Sequence, residues 1–235
     1  NARYHRSQTG GGHWEKNSLP QSWPIHYKEL TFQVKPMNFK HTGLFPEQAV
    51  NWDFAMEKIR NAGRPIRVLN LFGYTGAATV ACAKAGASVC HVDAAKGMVQ
   101  WAKENRELSK IPETNCRFIV EDALAFVRRE LRRGNRYDGI LMDPPSYGRG
   151  PSGEIWKLEK DLYPFLQLVA GVLSDDPQFF IINSYTTGLS ASTVGYLLSL
   201  YTKKFGGRAT ADEIGIPVTE SGMVLPAGAS ARWEK

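Results

Sequence analysis

The sequence is poor in the features that mark membrane-spanning, disulfide-bonded and metal-binding proteins. No apolar stretch in its 235 residues is long enough to cross a bilayer. The three cysteines, Cys82, Cys90 and Cys116, are an odd number without Cys-x-x-Cys spacing, which argues against both a disulfide framework and a zinc site. The five histidines also lack ligand spacing. We therefore predict a cytoplasmic protein with no membrane partner and no metal.

The charge balance favours an anionic partner. Lys and Arg number 29 against 23 Asp and Glu, which gives a net charge of +6. This moderate excess favours nucleic acid without deciding it. Arg128, Arg129, Arg132 and Arg133 fall on the outer face of one predicted helix, as a phosphate track or merely as a solvated face. Oligomeric state is not predicted, and because residue 1 is Asn, we expect the natural start upstream, which leaves a removed targeting segment open.

The first part of the chain lacks a sustained hydrophobic period. Residues 1–24 are polar and contain several Gly and Pro, so we predict a loop or arm there. Leu30, Phe32 and Val34 alternate with polar residues, which predicts a strand with one buried face. We expect an N-terminal arm and small β element over residues 1–55 and a main domain over residues 56–235.

From residue 66 onward, short apolar runs alternate with helical patterns. Strands are predicted at 66–71, 88–92, 117–120, 139–142 and 179–182, and a terminal β hairpin within 208–233. Runs that are apolar on both faces and separated by helices are typical of a parallel sheet covered on both sides. The predicted fold is α/β, a Rossmann-like, doubly wound, mostly parallel sheet of seven strands with a C-terminal β hairpin. Such sheets bind ligands at the carboxyl ends of their strands.

A glycine loop follows the first of these strands. In Asn70-Leu-Phe72-Gly73-Tyr-Thr-Gly76 the missing side chains let the backbone approach a ligand before a helix of small residues begins at Ala77. A nicotinamide-dependent oxidoreductase would normally show Gly-x-Gly-x-x-Gly for a diphosphate, so that function is a weaker alternative. The loop favours a cofactor whose only charged end is an amino acid.

Two acidic residues close the next two strands. Asp93 is placed to accept hydrogen bonds from ribose hydroxyls, and Asp122 is placed to reach an adenine amino group. The alternative for each is that it caps the following helix, and for Asp122 both roles can coexist.

The fourth strand ends in Asp143-Pro144-Pro145. Two prolines fix two φ angles and remove two N-H donors, which holds nearby carbonyls where they orient a substrate N-H. Asp143 can lie between cofactor and substrate. Tyr147 is placed to stack on an unstacked base, or is simply a partly buried loop tyrosine, and Asn183 either lines the substrate side or satisfies backbone groups.

Over residues 40–235 these motifs, in this order and spacing, resemble the class I S-adenosylmethionine-dependent methyltransferases. More narrowly, residues 42–48, 70–76 and 143–147 look like the large-subunit ribosomal RNA methyltransferases, a group that includes enzymes making 5-methylcytosine and 7-methylguanine. The resemblance implies S-adenosylmethionine as cofactor and Asp143, Pro144, Pro145 and Tyr147 as catalytic residues. The cofactor-binding residues it implies are Phe45, Gln48, Asn70, Phe72, Gly73, Tyr74, Thr75, Gly76, Asp93, Ala94, Asp122, Ala123 and Asp143.

The positions of the cysteines indicate which kind of atom accepts the methyl group. Methylation of pyrimidine carbon 5 needs a thiolate, which related enzymes place after the Pro-Pro strand or after the strand that follows. Ser146 and the segment 181–185 offer none. We therefore expect a methyltransferase acting on a nitrogen or oxygen, with a nucleobase nitrogen of RNA, ribosomal RNA above all, as the favoured target. The alternatives are a protein or small-molecule substrate, or an inactive cofactor-binding module associated with RNA.

Overall fold

The structure is a computed structural model that describes residues 1–8, 11–16, 18–37, 40–149 and 155–235. Gly10 of the predicted arm and residues 150–153, in the polar loop after the Pro-Pro step, lie outside these ranges. Within the described ranges no helix is long and apolar enough to cross a membrane.

Two antiparallel hairpins form the N-terminal region. Strand β1 (Ala2–Arg6) pairs with β2 (Gly12–Lys16), and β3 (Trp23–Tyr27) pairs with β4 (Leu30–Val34). The predicted strand at 30–34 is confirmed, but the loop predicted for 1–24 is wrong. Cross-strand aromatic contact accounts for the difference, because the rings of Tyr4 and Trp14 lie opposite each other with centroids 5.3 Å apart.

A seven-stranded sheet forms the centre, in the order β12-β13-β11-β8-β5-β6-β7. Strands β5 to β8, and β11, are parallel, and β13 runs antiparallel between β11 and β12. The predicted fold class is confirmed, and the five predicted core strands agree with the structure within two residues. The strands of this sheet are β5 (Arg67–Leu71), β6 (Ser88–Asp93), β7 (Cys116–Val120), β8 (Gly139–Met142), β11 (Phe179–Ser184), β12 (Arg208–Pro217) and β13 (Val224–Glu234). Two short strands, β9 (Tyr147–Arg149) and β10 (Ile155–Lys157), form a separate antiparallel pair.

Helices cover both faces of this sheet. They are α1 (Ala49–Asn61), α2 (Ala77–Lys84), α3 (Lys96–Leu108), α4 (Ala123–Arg133), α5 (Leu158–Ala170) and α6 (Ala191–Thr202). One apolar core joins α4, α5 and α6 to the sheet, and a second joins α1, α2 and β4 to the opposite face. The sequence pattern did not predict α1, which buries Trp52, Ala55, Met56 and Ile59 at helical spacing. A division at residue 55 would fall inside α1 and stays a prediction.

The small N-terminal element is tied to the main sheet through α3. Backbone groups of Gln33 in β4 accept from Trp101 Nε1 at 3.0 Å and donate to Asn105 Oδ1 at 2.8 Å. Asn105 in turn donates from Nδ2 to the carbonyl of Thr75 at 2.8 Å. The N-terminal hairpin therefore helps to support the glycine loop that follows β5.

Candidate active site

A cavity of about 60 Å³ opens at the carboxyl edge of the sheet, between the ends of β5, β8 and β11. It brings the glycine loop and Asp143 together, as the sequence predicts. Eight further residues line it that the site prediction did not include, among them Asn183, whose two interpretations the sequence left open. The lining residues are Leu44, Phe45, Gln48, Asn51, Trp52, Asn70, Phe72, Gly73, Tyr74, Thr75, Ala77, Ala78, Leu141, Met142, Asp143 and Asn183.

The remaining predicted site residues lie around this cavity rather than in its wall. Asp93 ends β6 and Ala94 follows it, and Asp122 and Ala123 follow β7, at the same edge of the sheet. Gly76 and Pro144 adjoin lining residues in the chain, and Pro145 and Tyr147 come two and four residues after Asp143. Their predicted roles toward cofactor and substrate stay predictions.

Other residues of the protein pack closely against the two glycines of the loop and leave no space for a side chain there. A Cβ atom at Gly73 would lie 2.4 Å from His91 Cε1, and one at Gly76 would lie 2.6 Å from the Cβ of Ala102. Gly76 also has a φ of +83°, which glycine adopts at little cost. Both glycines are thus required by packing, and close backbone approach to a ligand stays a prediction.

Asp93 holds the glycine loop in place. Its Oδ2 accepts from the backbone N-H of Tyr74 at 2.8 Å, and its Oδ1 accepts from that of Ala95 at 2.8 Å. Asp122, by contrast, is the N-cap of α4 and accepts from the N-H of Ala125 at 2.9 Å. Capping is therefore observed for Asp122, while its adenine contact stays a prediction.

A buried polar chain orients Asn70. Asn70 Nδ2 donates to Thr79 Oγ1 at 2.9 Å, and that hydroxyl lies 2.9 Å from His91 Nδ1. Burial lowers the pKa of His91 to about 3, so the imidazole is neutral at physiological pH. One N-H of Asn70 is thereby engaged, which sets the orientation of the amide at the cavity wall and leaves its Oδ1 and its second N-H for other contacts.

Asp143 is the chemically distinctive residue of the cavity. Burial, reinforced by the negative charge of Glu47, raises the pKa of its carboxyl group to about 7. In the described part of the chain, Asp143 has neither a hydrogen-bond partner nor an ion-pair partner. A partly buried, desolvated acid without a cation costs stability, and such residues are typical of functional sites.

Aromatic rings and amides form the wall beside Asp143. The ring of Phe45 lies 5.5 Å from that of Tyr74 and 5.9 Å from that of Tyr185. Tyr185 donates its hydroxyl to Glu47 Oε1 at 3.2 Å and accepts from Gln48 Nε2 at 2.7 Å. The sequence reasoning missed Tyr185, which directly follows β11 and reaches the site only through tertiary packing.

Asn51, which the site prediction also missed, comes to the wall from α1. Its Nδ2 lies 2.8 Å from Gln48 Oε1 and 2.8 Å from Asn183 Oδ1. Asn183 therefore lines the cavity, and the partner of its amide oxygen is a side chain. Its place on the substrate side and its satisfaction of backbone groups both stay predictions.

The Pro-Pro loop (residues 143–147) is fixed by neighbouring segments. The carbonyl of Pro145 accepts from Trp156 Nε1 at 2.6 Å, and that of Ser146 accepts from Leu158 N at 3.1 Å. Tyr147 is 51% exposed, so its ring is accessible to a stacking partner. The Pro145 carbonyl is thereby held by the protein, and contact of this loop with a substrate N-H stays a prediction.

The arginines of α4 are partly paired within the protein. Arg129 forms an ion pair with Glu121, and Arg133 lies 3.8 Å from Glu130. A phosphate track along this helix stays a prediction. Over the described residues, no group of three or more His, Cys, Asp and Glu side chains is arranged to hold a metal ion.

A family model described as S-adenosylmethionine-dependent methyltransferase matches residues 2–173. The chain belongs to the S-adenosylmethionine-dependent methyltransferases. The resemblance drawn from its motifs is thereby confirmed, together with the predicted cofactor. The charge at the cavity suits this cofactor, because Asp143 in the cavity wall and Glu47 near it have no cationic partner among the described residues, and the cofactor carries a sulfonium and an ammonium group.

Curated relatives of this methyltransferase include proteins named for ribosomal RNA. The chain is 32% identical over 157 residues to ribosomal RNA large subunit methyltransferase K/L of Pseudoalteromonas atlantica, which covers 66% of the chain and 21% of that relative. It is 28% identical over 155 residues to ribosomal RNA large subunit methyltransferase K of Neisseria meningitidis serogroup B, covering 65% of the chain and 43% of the relative. The chain thus spans about a fifth of the first relative and less than half of the second.

Solved structures share the whole fold of this methyltransferase. A crystal structure of a SAM-dependent methyltransferase from Agrobacterium tumefaciens matches with a TM-score of 0.92 and 37% identity, over 99% of this chain and 76% of that one. Magnesium protoporphyrin IX methyltransferase from Synechocystis, with bound SAM, shares the fold alone at 12% identity and a TM-score of 0.54, over 81% of each chain.

Proposed function

We propose that this methyltransferase acts on a nitrogen of a nucleobase in RNA, with ribosomal RNA as the favoured substrate. The relatives named as ribosomal RNA methyltransferases support this substrate class. The net charge of +6 is consistent with an RNA partner. The free cysteines fit a reducing compartment, and we propose a cytoplasmic location.

The residues that would hold the cofactor surround the glycine loop. Asp93 would bind the ribose from the end of β6, Asp122 and Ala123 would approach the adenine, and Phe45 and Tyr74 would cover the ligand with their rings. When bound, S-adenosylmethionine supplies a methyl group activated by its attachment to a positively charged sulfur. Asp143 and Glu47 would place negative charge toward that cationic end.

The place of Asp143 in one cavity with the glycine loop is the observation that carries the proposal. A carboxyl group whose pKa is about 7 can accept a hydrogen bond from a substrate amino group and then take its proton. Pro144 and Pro145 hold the backbone beside it in one conformation. Transfer then depends on alignment of the acceptor nitrogen with the methyl group, which these rigid elements provide.

The cysteines support nitrogen rather than pyrimidine carbon 5 as the acceptor. Cys82, Cys90 and Cys116 are buried away from the residues that line the cavity. Burial raises the pKa of both Cys90 and Cys116 to about 11, which keeps them as thiols at neutral pH. A thiolate that adds to a pyrimidine ring is therefore not supplied at this site.

A labelling experiment tests the proposal. The protein is incubated with tritiated S-adenosylmethionine and total RNA, and the RNA is digested to nucleosides for chromatography. We expect label in a base methylated on nitrogen, with no transfer by the Asp143→Ala variant. Label that resists ribonuclease, or that resides in 5-methylcytosine, would contradict the proposed substrate or acceptor atom. No binding of the cofactor by calorimetry would contradict both.

A further inference from the structure

We propose that Trp156 is a positioning residue that fixes the glycine loop (residues 72–76) and the Pro-Pro loop (residues 143–147) relative to each other. The inference rests on the proposed function, in which the first loop holds the methyl donor and the second presents the acceptor. Trp156 lies on β10, where it pairs with Gly148 of β9. A single side chain therefore contacts both halves of the site.

The first contact is a hydrogen bond to the Pro-Pro loop. Trp156 Nε1 donates to the carbonyl oxygen of Pro145 at 2.6 Å. Pro144 and Pro145 have no N-H of their own, so this segment cannot secure itself by donating backbone hydrogen bonds. The indole N-H supplies an external anchor two residues beyond Asp143.

The second contact is made by the ring against the glycine loop. The indole centroid lies 6.1 Å from the ring of Phe72 and 5.6 Å from the ring of Phe165 in α5. Phe72 and Phe165 are themselves 5.8 Å apart, which closes a triangle of aromatic rings. Phe72 has a φ of +56°, a conformation that costs energy in a residue other than glycine. The surrounding rings must hold it there.

The two contacts can be removed separately. Trp156→Phe deletes the N-H donor and keeps an aromatic ring against Phe72. Trp156→Leu deletes both the donor and the ring. If Trp156 links the loops, the first variant should loosen the Pro-Pro loop alone and the second should loosen both loops.

Hydrogen exchange followed by mass spectrometry measures this directly in the purified protein without cofactor. We expect Trp156→Phe to accelerate exchange about five-fold for amides of residues 143–147 and to leave residues 72–76 unchanged. We expect Trp156→Leu to accelerate exchange in both loops. It should also weaken binding of S-adenosylhomocysteine about five-fold by calorimetry, whereas Trp156→Phe should bind it within two-fold of the parent.

Trp233→Phe is a matched control. Trp233 Nε1 also donates to a backbone carbonyl, that of Gly206 at 2.8 Å, and its ring lies 6.0 Å from Phe205. This variant should lower the melting temperature without changing exchange in either loop. Equal exchange of residues 143–147 in Trp156→Phe and Trp233→Phe would overturn the proposal, as would unchanged affinity of Trp156→Leu. If Trp156→Leu does not fold, the exchange of Trp156→Phe decides alone. None of these measurements needs RNA, so they stand apart from any failure of the proposed substrate.

Discussion

Two aspartates flank the four residues of β8 and have opposite surroundings. Asp138, before the strand, accepts from Arg67 N at 2.9 Å and from Ser174 Oγ at 2.8 Å, and it pairs with Arg64 at 3.1 Å. Asp143, after the strand, faces the cavity and is repelled by Glu47. An acid whose partners all come from the protein stabilises the fold, whereas an acid left without a cation is available to a ligand.

The strongest test of this contrast is the loss of activity when Asp143 loses its charge. Asp143→Asn keeps the size of the side chain but cannot take a proton, and we expect methyl transfer to fall about 100-fold to 1000-fold. Methyl transfer by Asp138→Asn should fall by less than about ten-fold when this variant is assayed at a temperature at which it is folded. Initial rates with labelled cofactor measure both. Similar losses in the two variants would erase the functional distinction between the ends of β8.

The second test concerns stability, to which Asp138 is expected to contribute and Asp143 is not. Asp138→Ala leaves Arg64, Ser174 and the N-H of Arg67 without their common acceptor. We expect the free energy of unfolding to fall by about 2–4 kcal/mol, measured by urea denaturation. Binding of S-adenosylhomocysteine by the folded fraction should be unchanged. A loss below about 0.5 kcal/mol would show that these contacts do not secure the amino end of the strand.

A third test uses the pH dependence of stability. Here the substitution of Asp143 is expected to stabilise the protein, whereas that of Asp138 destabilises it. The carboxyl group of Asp143 has a pKa of about 7 in the folded protein and a value of about 4 in an unfolded chain. The folded state therefore holds a proton that the unfolded state has lost, so stability falls as pH rises from about 4 to about 7. Asp143→Asn should remove this cost and raise the free energy of unfolding by about 1–2 kcal/mol at pH 8. Thermal melts at pH 8 and below pH 4 check it, and an equal gain at both would contradict it.

The smallest expected effect is the release of protons when the cofactor binds. At pH 7 about half of the Asp143 side chains carry a proton, and binding of the cationic cofactor should drive the proton off. Calorimetry in buffers of different ionisation enthalpy should show release of about half a proton per bound S-adenosylmethionine, and none with Asp143→Asn. Glu47→Gln should reduce the release, because removal of its charge lowers the pKa of Asp143. Full release in Asp143→Asn would assign the proton to another group.

Sequence reasoning predicted those elements whose signal lies within one short, continuous stretch of residues. Strands 139–142 and 179–182 were predictable because both faces are buried and the apolar runs are continuous. The hairpin β1-β2 was not, because its stabilising pairs join residues on two different strands, such as Tyr4 and Trp14, rather than neighbours in the chain. Helix α1 was missed because Asn51, Asp53 and Glu57 interrupt its apolar residues.

The candidate site divides in the same way. Asp143 and the glycine loop follow directly from strand ends, so their meeting in one cavity was predictable from topology. Asn51 reaches the site from α1, Tyr185 from the residue after β11 and Trp156 from β10, and only the packing of the folded chain brings these segments together. Neither composition nor spacing could have shown those contacts.

The crowding beneath the glycine loop separates ancestry from activity. Any side chain at position 73 would collide with the imidazole of His91 whether or not a reaction takes place. A descendant that had lost methyl transfer would still need glycine there to pack its interior, while its residue at 143 would be released from selection for chemistry. The glycine loop is therefore expected in active and inactive members of the family alike, whereas the residue at position 143 is expected to differ between them.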